Sequence, residues 1–223
     1  PPALTLADLN SRIKSLNIVI SHNHYDHLDR KTMEQLPQNA SVYVPLGLKS
    51  YVMDMNKKNV QEMDWWEEIS VGEDSRLVCL PAQHWSLRIN QGKNESLWAS
   101  WLLITPETTF YFGGDSGYFK GFREIGRKYP KIDYAFMATT AYHPRWFMHY
   151  QHMDVREAIQ AFEELGACFF IPTQWGTFHL GSEPAGFPGM ELKEQIQKGT
   201  LSPSRFKIMD IGQILPVQHC RTD

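Results

Sequence analysis

Three imidazoles and a carboxylate fall within six residues of this chain, in the run Ser21-His22-Asn23-His24-Tyr25-Asp26-His27-Leu28-Asp29. An apolar stretch, Ile18-Val19-Ile20, comes directly before it. A strand ending there hands all four groups to one loop. Imidazole with carboxylate is the donor set of zinc and its transition-metal neighbours. A histidine-rich surface turn is the bland alternative.

The rest of the pattern says what sort of fold surrounds that loop. Short apolar strands alternate with helical stretches, as in a layered α/β architecture. The spacing predicts a helix over 6–16, a strand over 17–21, a strand over 42–44 and a helix over 45–55. A strand over 77–80 comes next, then strands over 98–104 and 109–112 around the turn Thr105-Pro106-Glu107-Thr108. Strands over 132–137 and 168–171 flank the clearest helix, 154–165. Asp154 is its N-cap, Glu157 stands three residues on, and Gly166 is a natural stop. Asp29 reads as the cap of a helix starting at Arg30, or as a group that orients a neighbouring imidazole. Residues 181–189 read as a loop, 191–197 as a last helix and 206–209 as a last strand. The chain reads as one domain, 1–223, without repeats or linkers.

Metal-capable groups recur just after strands: His22 to His27, His84, Asp115, then Gln174. In layered α/β folds the loops converge at one end of the strands. Residues far apart in sequence therefore meet in one site.

Composition narrows the function classes. Hydrophobic residues at 42% supply an ample core. A net charge of −3 offers no basic face for a polyanion, so no nucleic acid partner is expected. Three cysteines, Cys79, Cys168 and Cys220, are odd in number and unpatterned, and read as reduced thiols of a cytoplasmic protein. No apolar run is long enough to span a membrane.

Several strings together resemble the metallo-β-lactamase superfamily, and within it the branch that hydrolyses N-acylphosphatidylethanolamine as a phospholipase D. They are the histidine run, Pro81-Ala82-Gln83-His84-Trp85, and Gly113-Gly114-Asp115-Ser116-Gly117-Tyr118. Pro144-Arg145-Trp146-Phe147-Met148, Tyr150-Gln151-His152-Met153-Asp154 and Trp175-Gly176-Thr177-Phe178 complete the set. The resemblance implies an α/β sandwich of the βα/αβ layered, metallo-β-lactamase type. Family members carry several strands before the first motif, whereas about twenty residues precede it here. The N-terminal strands are thus expected to be absent from this chain, removed or supplied by a second chain or a homodimer partner.

The resemblance also assigns roles. His22, His24 and His84 would hold one metal, Asp26 and His27 a second, with Asp115 between them. The metal is expected to be zinc, one ion or two. Gln174 stands where the family usually has histidine, so the second position is expected to be weak, or to prefer Mn²⁺ or Fe²⁺. Asp26 and His152 are the expected catalytic pair, with Tyr25 and Gln151 on the substrate. The expected reaction is attack of a metal-activated water on a phosphodiester, the substrate a small molecule or a phospholipid. A peripheral membrane contact follows from the aromatic-rich segment Arg145 to Met148, which reads equally as an ordinary core segment with one paired Arg. A lactonase or other carboxyl-ester hydrolase is the alternative within enzymes, and a degenerate, non-catalytic binding module the alternative outside them.

Overall fold

In a computed structural model, residues 4–220 are described. Two sheets carry the architecture. The first is three-stranded and all parallel: β1 (Asn17–Val19), β2 (Ser41–Pro45) and β3 (Asn59–Met63), in that spatial order. The second runs β4 (Glu68–Ser70), β5 (Arg76–Leu80), β6 (Ser100–Ile104), β7 (Thr109–Phe112), β8 (Tyr134–Ala138) and β9 (Phe169–Thr173). Its first four strands are antiparallel, and β7, β8 and β9 are parallel. Parallel neighbours need crossovers, and helices supply them. Helix α1 (Leu6–Arg12) precedes β1, α2 (Arg30–Gln35) and α3 (Lys49–Met53) cross within the first sheet, and α4 (Gly121–Lys128) crosses from β7 to β8. The short α5 (Arg145–Met148) and the long α6 (Val155–Leu165) join β8 to β9, and α7 (Phe187–Gln197) follows.

Three apolar clusters hold these layers together. One lies under α4 and α6 and includes Leu102, Tyr111, Phe122, Phe162 and Phe170. A second joins the first sheet to α2 and α3 through Leu28, Val42, Val44 and Val52. The third lies between the sheets, with Met63, Leu77, Cys79, Ala99 and Trp101. Trp101 also donates its indole N–H to the Ile20 carbonyl at 3.1 Å, which ties the second sheet to the strand end that precedes the histidines.

Several expectations need redrawing. The helix expected over 45–55 is only Lys49–Met53, because Pro45 closes β2 opposite Met63 and Gly47 turns the chain at φ +85°. The loop expected over 181–189 ends earlier. Phe187 opens α7 with Pro188 in the first turn, where a missing N–H costs nothing. The expected strand over 206–209 is a single bridge, Phe170 to Phe206. Helix α4 carries no sequence signal, since Gly121 and Gly126 lower helix propensity. Gly126 is there for packing: a Cβ at that position would lie 2.6 Å from the Glu164 carbonyl of α6. The cysteine expectation is corrected too. Cys168 and Cys220 are bonded as a disulfide with Cα atoms 6.0 Å apart, and Cys79 alone is a buried free thiol. Fifty-two residues of sequence separate the pair, a distance no spacing rule could bridge.

Candidate metal centre

Four strand ends deliver the centre. Beyond β1, Ile20 still bonds the Tyr43 carbonyl of β2, and the Ser21 carbonyl accepts from Ala99. The chain then turns, with the His27 and Leu28 amides both on the His24 carbonyl. Asp29 ends the loop as the N-cap of α2, its carboxylate accepting from the Thr32 amide at 2.7 Å. His84 lies just beyond β5 and Asp115 just beyond β7. At Gly114 the backbone is left-handed (φ +58°), and a Cβ there would lie 2.7 Å from the Ser21 Cβ. Only glycine lets the Asp115 loop press this closely on the histidine loop.

Ligand atoms of His22, His24, His84 and Asp115 all lie within 4.8 Å of one another. His22 Nε2 is 2.9 Å from His24 Nδ1, and His84 Nε2 is 3.2 Å from the same atom. Asp115 Oδ2 is 3.7 Å from His22 Nε2 and 3.6 Å from His84 Nε2. Donors about 2.0–2.1 Å from one tetrahedral ion stand about 3.3 Å apart, so these four atoms have the spacing of such a shell. Two of the three other ring nitrogens, those of His84 and His22, are held from behind. His84 Nδ1 donates to the Gln151 carbonyl at 3.2 Å, and His22 Nδ1 meets Ser21 Oγ at 3.0 Å. Such partners fix the tautomer that leaves Nε2 free to ligate.

The second group adjoins the first through Asp115. His27 Nε2 is 3.2 Å from Asp115 Oδ2 and 3.3 Å from Asp26 Oδ2. Gln174, at φ +68°, sends its amide N–H to the Gly114 carbonyl at 3.3 Å and so stands beside Asp115. This second set has one imidazole, two carboxylates and an amide, a donor mixture harder than the three imidazoles of the first.

Charge is arranged for a cation. Burial holds His22, His24 and His84 below the usual imidazole range, His84 down to about 3, so all three are neutral donors. Burial works against ionised Asp115, but the bond from His27 outweighs it and holds the carboxyl well below its ordinary range. Burial also opposes a charged His27, yet Asp115 and Asp26 together raise it to about 10. Asp115 Oδ1 and His24 Nε2 are buried without any partner. Unpaired buried acceptors are costly, and an ion in the centre would satisfy the carboxylate.

The remaining expected site residues divide. The His152 ring lies 5.3 Å from His84, with Nδ1 buried and unpartnered. Two residues on, Asp154 and Glu157 satisfy each other's amides in a capping box at the N-terminus of α6. Gln151 reaches the centre through its carbonyl. Tyr25 is 54% exposed and faces a separate depression of about 630 Å³ beside Arg30, Tyr51 and Arg88. His179 stays outside, its ring bonded to the Glu183 carbonyl. Ser21, which touches both His22 and His27, carried no signal beyond its place in the run.

Residues 5–175 match the family described as the Beta-lactamase superfamily domain, and the chain belongs to the metallo-β-lactamase superfamily. It is 33% identical over 228 residues to N-acyl-phosphatidylethanolamine-hydrolyzing phospholipase D 1 of Caenorhabditis elegans, covering 96% of this chain and 63% of that protein. It is 34% identical over 174 residues to the mitochondrial N-acyl-phosphatidylethanolamine-hydrolyzing phospholipase D of Saccharomyces cerevisiae, covering 74% and 37%. Igni18, a metallo hydrolase from Ignicoccus hospitalis, shares the fold at a TM-score of 0.69 and 18% identity, covering 94% of this chain and 82% of that one. The chain spans between 37% and 63% of the lengths of these two curated relatives, and half that of others it matches.

Proposed function

We propose that this chain is the metal-binding part of a phosphodiesterase acting on N-acylated phosphatidylethanolamine or a related glycerophosphodiester. The observation that carries the reading is the convergence of donors from His22, His24, His84 and Asp115, all within 4.8 Å of one another. The similarity to two proteins named for that activity supports the substrate class. These donors would hold zinc, with Asp26, His27, Asp115 and Gln174 around a second position. A bound metal supplies an ionised water at neutral pH and neutralises charge on phosphoryl oxygens.

The chain's own groups do the rest. Asp26, an ionised carboxylate at neutral pH, takes the proton of the attacking water. The unpartnered Nδ1 of His152 contacts the phosphoryl group or hands a proton to the leaving alkoxide. Gln151, whose carbonyl bonds His84, flanks the substrate, whereas Tyr25 is turned to the depression beside Arg88 and is left out of that contact.

A lipid substrate must be reached at a surface, and the structure has an apolar rim. Trp146 and Phe147 of α5 are 79% and 61% exposed, and Phe178 and Leu180 are 59% and 52% exposed. Glu183 fastens the two loops by accepting from the Tyr142 and His143 amides. Arg145 is bonded to Glu157 at 2.6 Å, so it anchors α5 while the aromatics project. We propose that this rim meets acyl chains at the bilayer interface. Among the described residues no helix is long and apolar enough to cross a membrane.

The test is a metal-reconstituted assay with three substrates: N-acylated phosphatidylethanolamine in vesicles, a soluble short-chain phosphodiester, and a lactone. Turnover of both phosphodiesters above the lactone is expected. Lactone turnover alone would replace the reading by its carboxyl-ester rival. In the W146A/F147A double variant, vesicle turnover is expected to fall about tenfold or more while the soluble substrate is unaffected. Burying two aromatic side chains is worth several kcal/mol, and part of that is lost.

The two positions are expected to fill unequally. An amide oxygen is a weaker donor than imidazole, so zinc-reconstituted, chelator-washed protein should keep a single tightly held ion per chain. In the Gln174→His variant the second should be retained. Two full equivalents in the unaltered protein, by elemental analysis, would remove the case for a weak second position.

A further inference from the structure

Arg88 is 6% exposed, and among the described residues no carboxylate lies within salt-bridge distance of it. A buried cation without an anion is expensive unless other groups take its place. Here they do, and most belong to the histidine loop. Nη1 donates to the Asn23 carbonyl at 2.8 Å and approaches the His24 carbonyl at 3.4 Å. Nε donates to the Tyr51 hydroxyl at 2.8 Å. The guanidinium plane lies 4.1 Å from the centre of the Tyr25 ring and 5.3 Å from that of Tyr51.

The residues beside Arg88 grip the same loop. The Leu87 amide donates to Asn23 Oδ1 at 3.0 Å, and Asn23 Nδ2 donates to Gln91 Oε1 at 2.8 Å. The Ile89 amide donates to the Tyr25 hydroxyl at 3.3 Å. Asn23 itself is fully buried. Apart from the two to Tyr51, these contacts fall on Asn23, His24 or Tyr25, residues that belong to or flank two proposed ligands.

We infer that Arg88 is a positioning residue for the metal centre: its guanidinium holds the carbonyls of Asn23 and His24 from behind, and so sets the orientation of the His22 and His24 rings. The inference rests on the metal-centre reading above. Arginine is required because the planar fork bonds carbonyls in its plane while its faces stack on Tyr25 and Tyr51. A lysine ammonium keeps the charge but neither the fork nor the stacking.

The experiment measures zinc affinity by chelator competition and records the visible spectrum of the cobalt(II)-substituted protein, whose bands report ligand geometry. Arg88→Lys is expected to lose about 10–100-fold in affinity, the usual cost of removing an outer partner of a ligand, with shifted cobalt bands. Arg88→Ala should lose more and be partly rescued by added guanidinium ion. Tyr51→Phe removes only the acceptor of Nε, far from the ligands, and should weaken binding in the same direction by less. Should the Arg88 variants not fold, Tyr51→Phe decides alone. Wild-type affinity and spectrum in the folded variants would overturn the role of Arg88. Absence of metal binding by the unaltered protein would instead overturn the centre itself.

Discussion

Asp115→Asn is expected to empty the centre and abolish turnover. The carboxylate is 5% exposed, and its Oδ2 faces His22, His27 and His84 at 3.2 to 3.7 Å. It is the one group shared by both proposed metal positions. Asparagine keeps the shape and removes the charge. It would also aim N–H hydrogens or a neutral oxygen at neutral imidazoles, where a cation should sit. The loss should exceed the about 10–100-fold that follows removal of an outer-shell partner, because this group is itself a donor. Elemental analysis after zinc reconstitution, together with turnover of a phosphodiester, checks it. A variant that keeps both metal and rate would show that Asp115 is a turn aspartate and nothing more.

Trp101→Ala is expected to bring the protein close to unfolding. Trp101 is 1% exposed, in the cluster where the two sheets meet, and its indole N–H satisfies the Ile20 carbonyl. Truncating a buried Trp costs about 3–5 kcal/mol, against a typical total stability of about 5–15 kcal/mol. The lost donor leaves a carbonyl one residue from Ser21 unsatisfied, so the damage lands at the root of the histidine loop. Trp101→Phe, which keeps most of the ring and loses the hydrogen bond, should cost about 1–3 kcal/mol. Urea unfolding of metal-free protein measures both. An alanine variant less than 1 kcal/mol weaker than the parent would mean that the sheets are held together elsewhere.

The site was more legible in the sequence than the frame around it, for a physical reason. His22, His24, His84 and Asp115 are polar groups directly after apolar runs, and a strand end is where such a change of character puts a side chain. Helix α6 announced itself through Asp154, Glu157 and Gly166, all three of which do what their positions predict. Helix α4 stayed hidden because Gly126 was chosen for its contact with α6, against its own propensity. Strand β3 was missed because Asn59, Gln61 and Glu62 mask buried Val60 and Met63. The grip of Arg88 on Asn23 and the disulfide of Cys168 with Cys220 depend on residues more than fifty positions apart, which no local pattern encodes.

The near-contact of Gly114 with Ser21 has a consequence for how an ion enters. Neither loop can move closer to the other, and the Ser21 carbonyl is committed to Ala99. The spacing of the two loops is thus set by their own packing. Zinc fingers fold around their ion and collapse when it is stripped. A centre whose loops are held by such tertiary contacts would instead select an ion by size and bond angle.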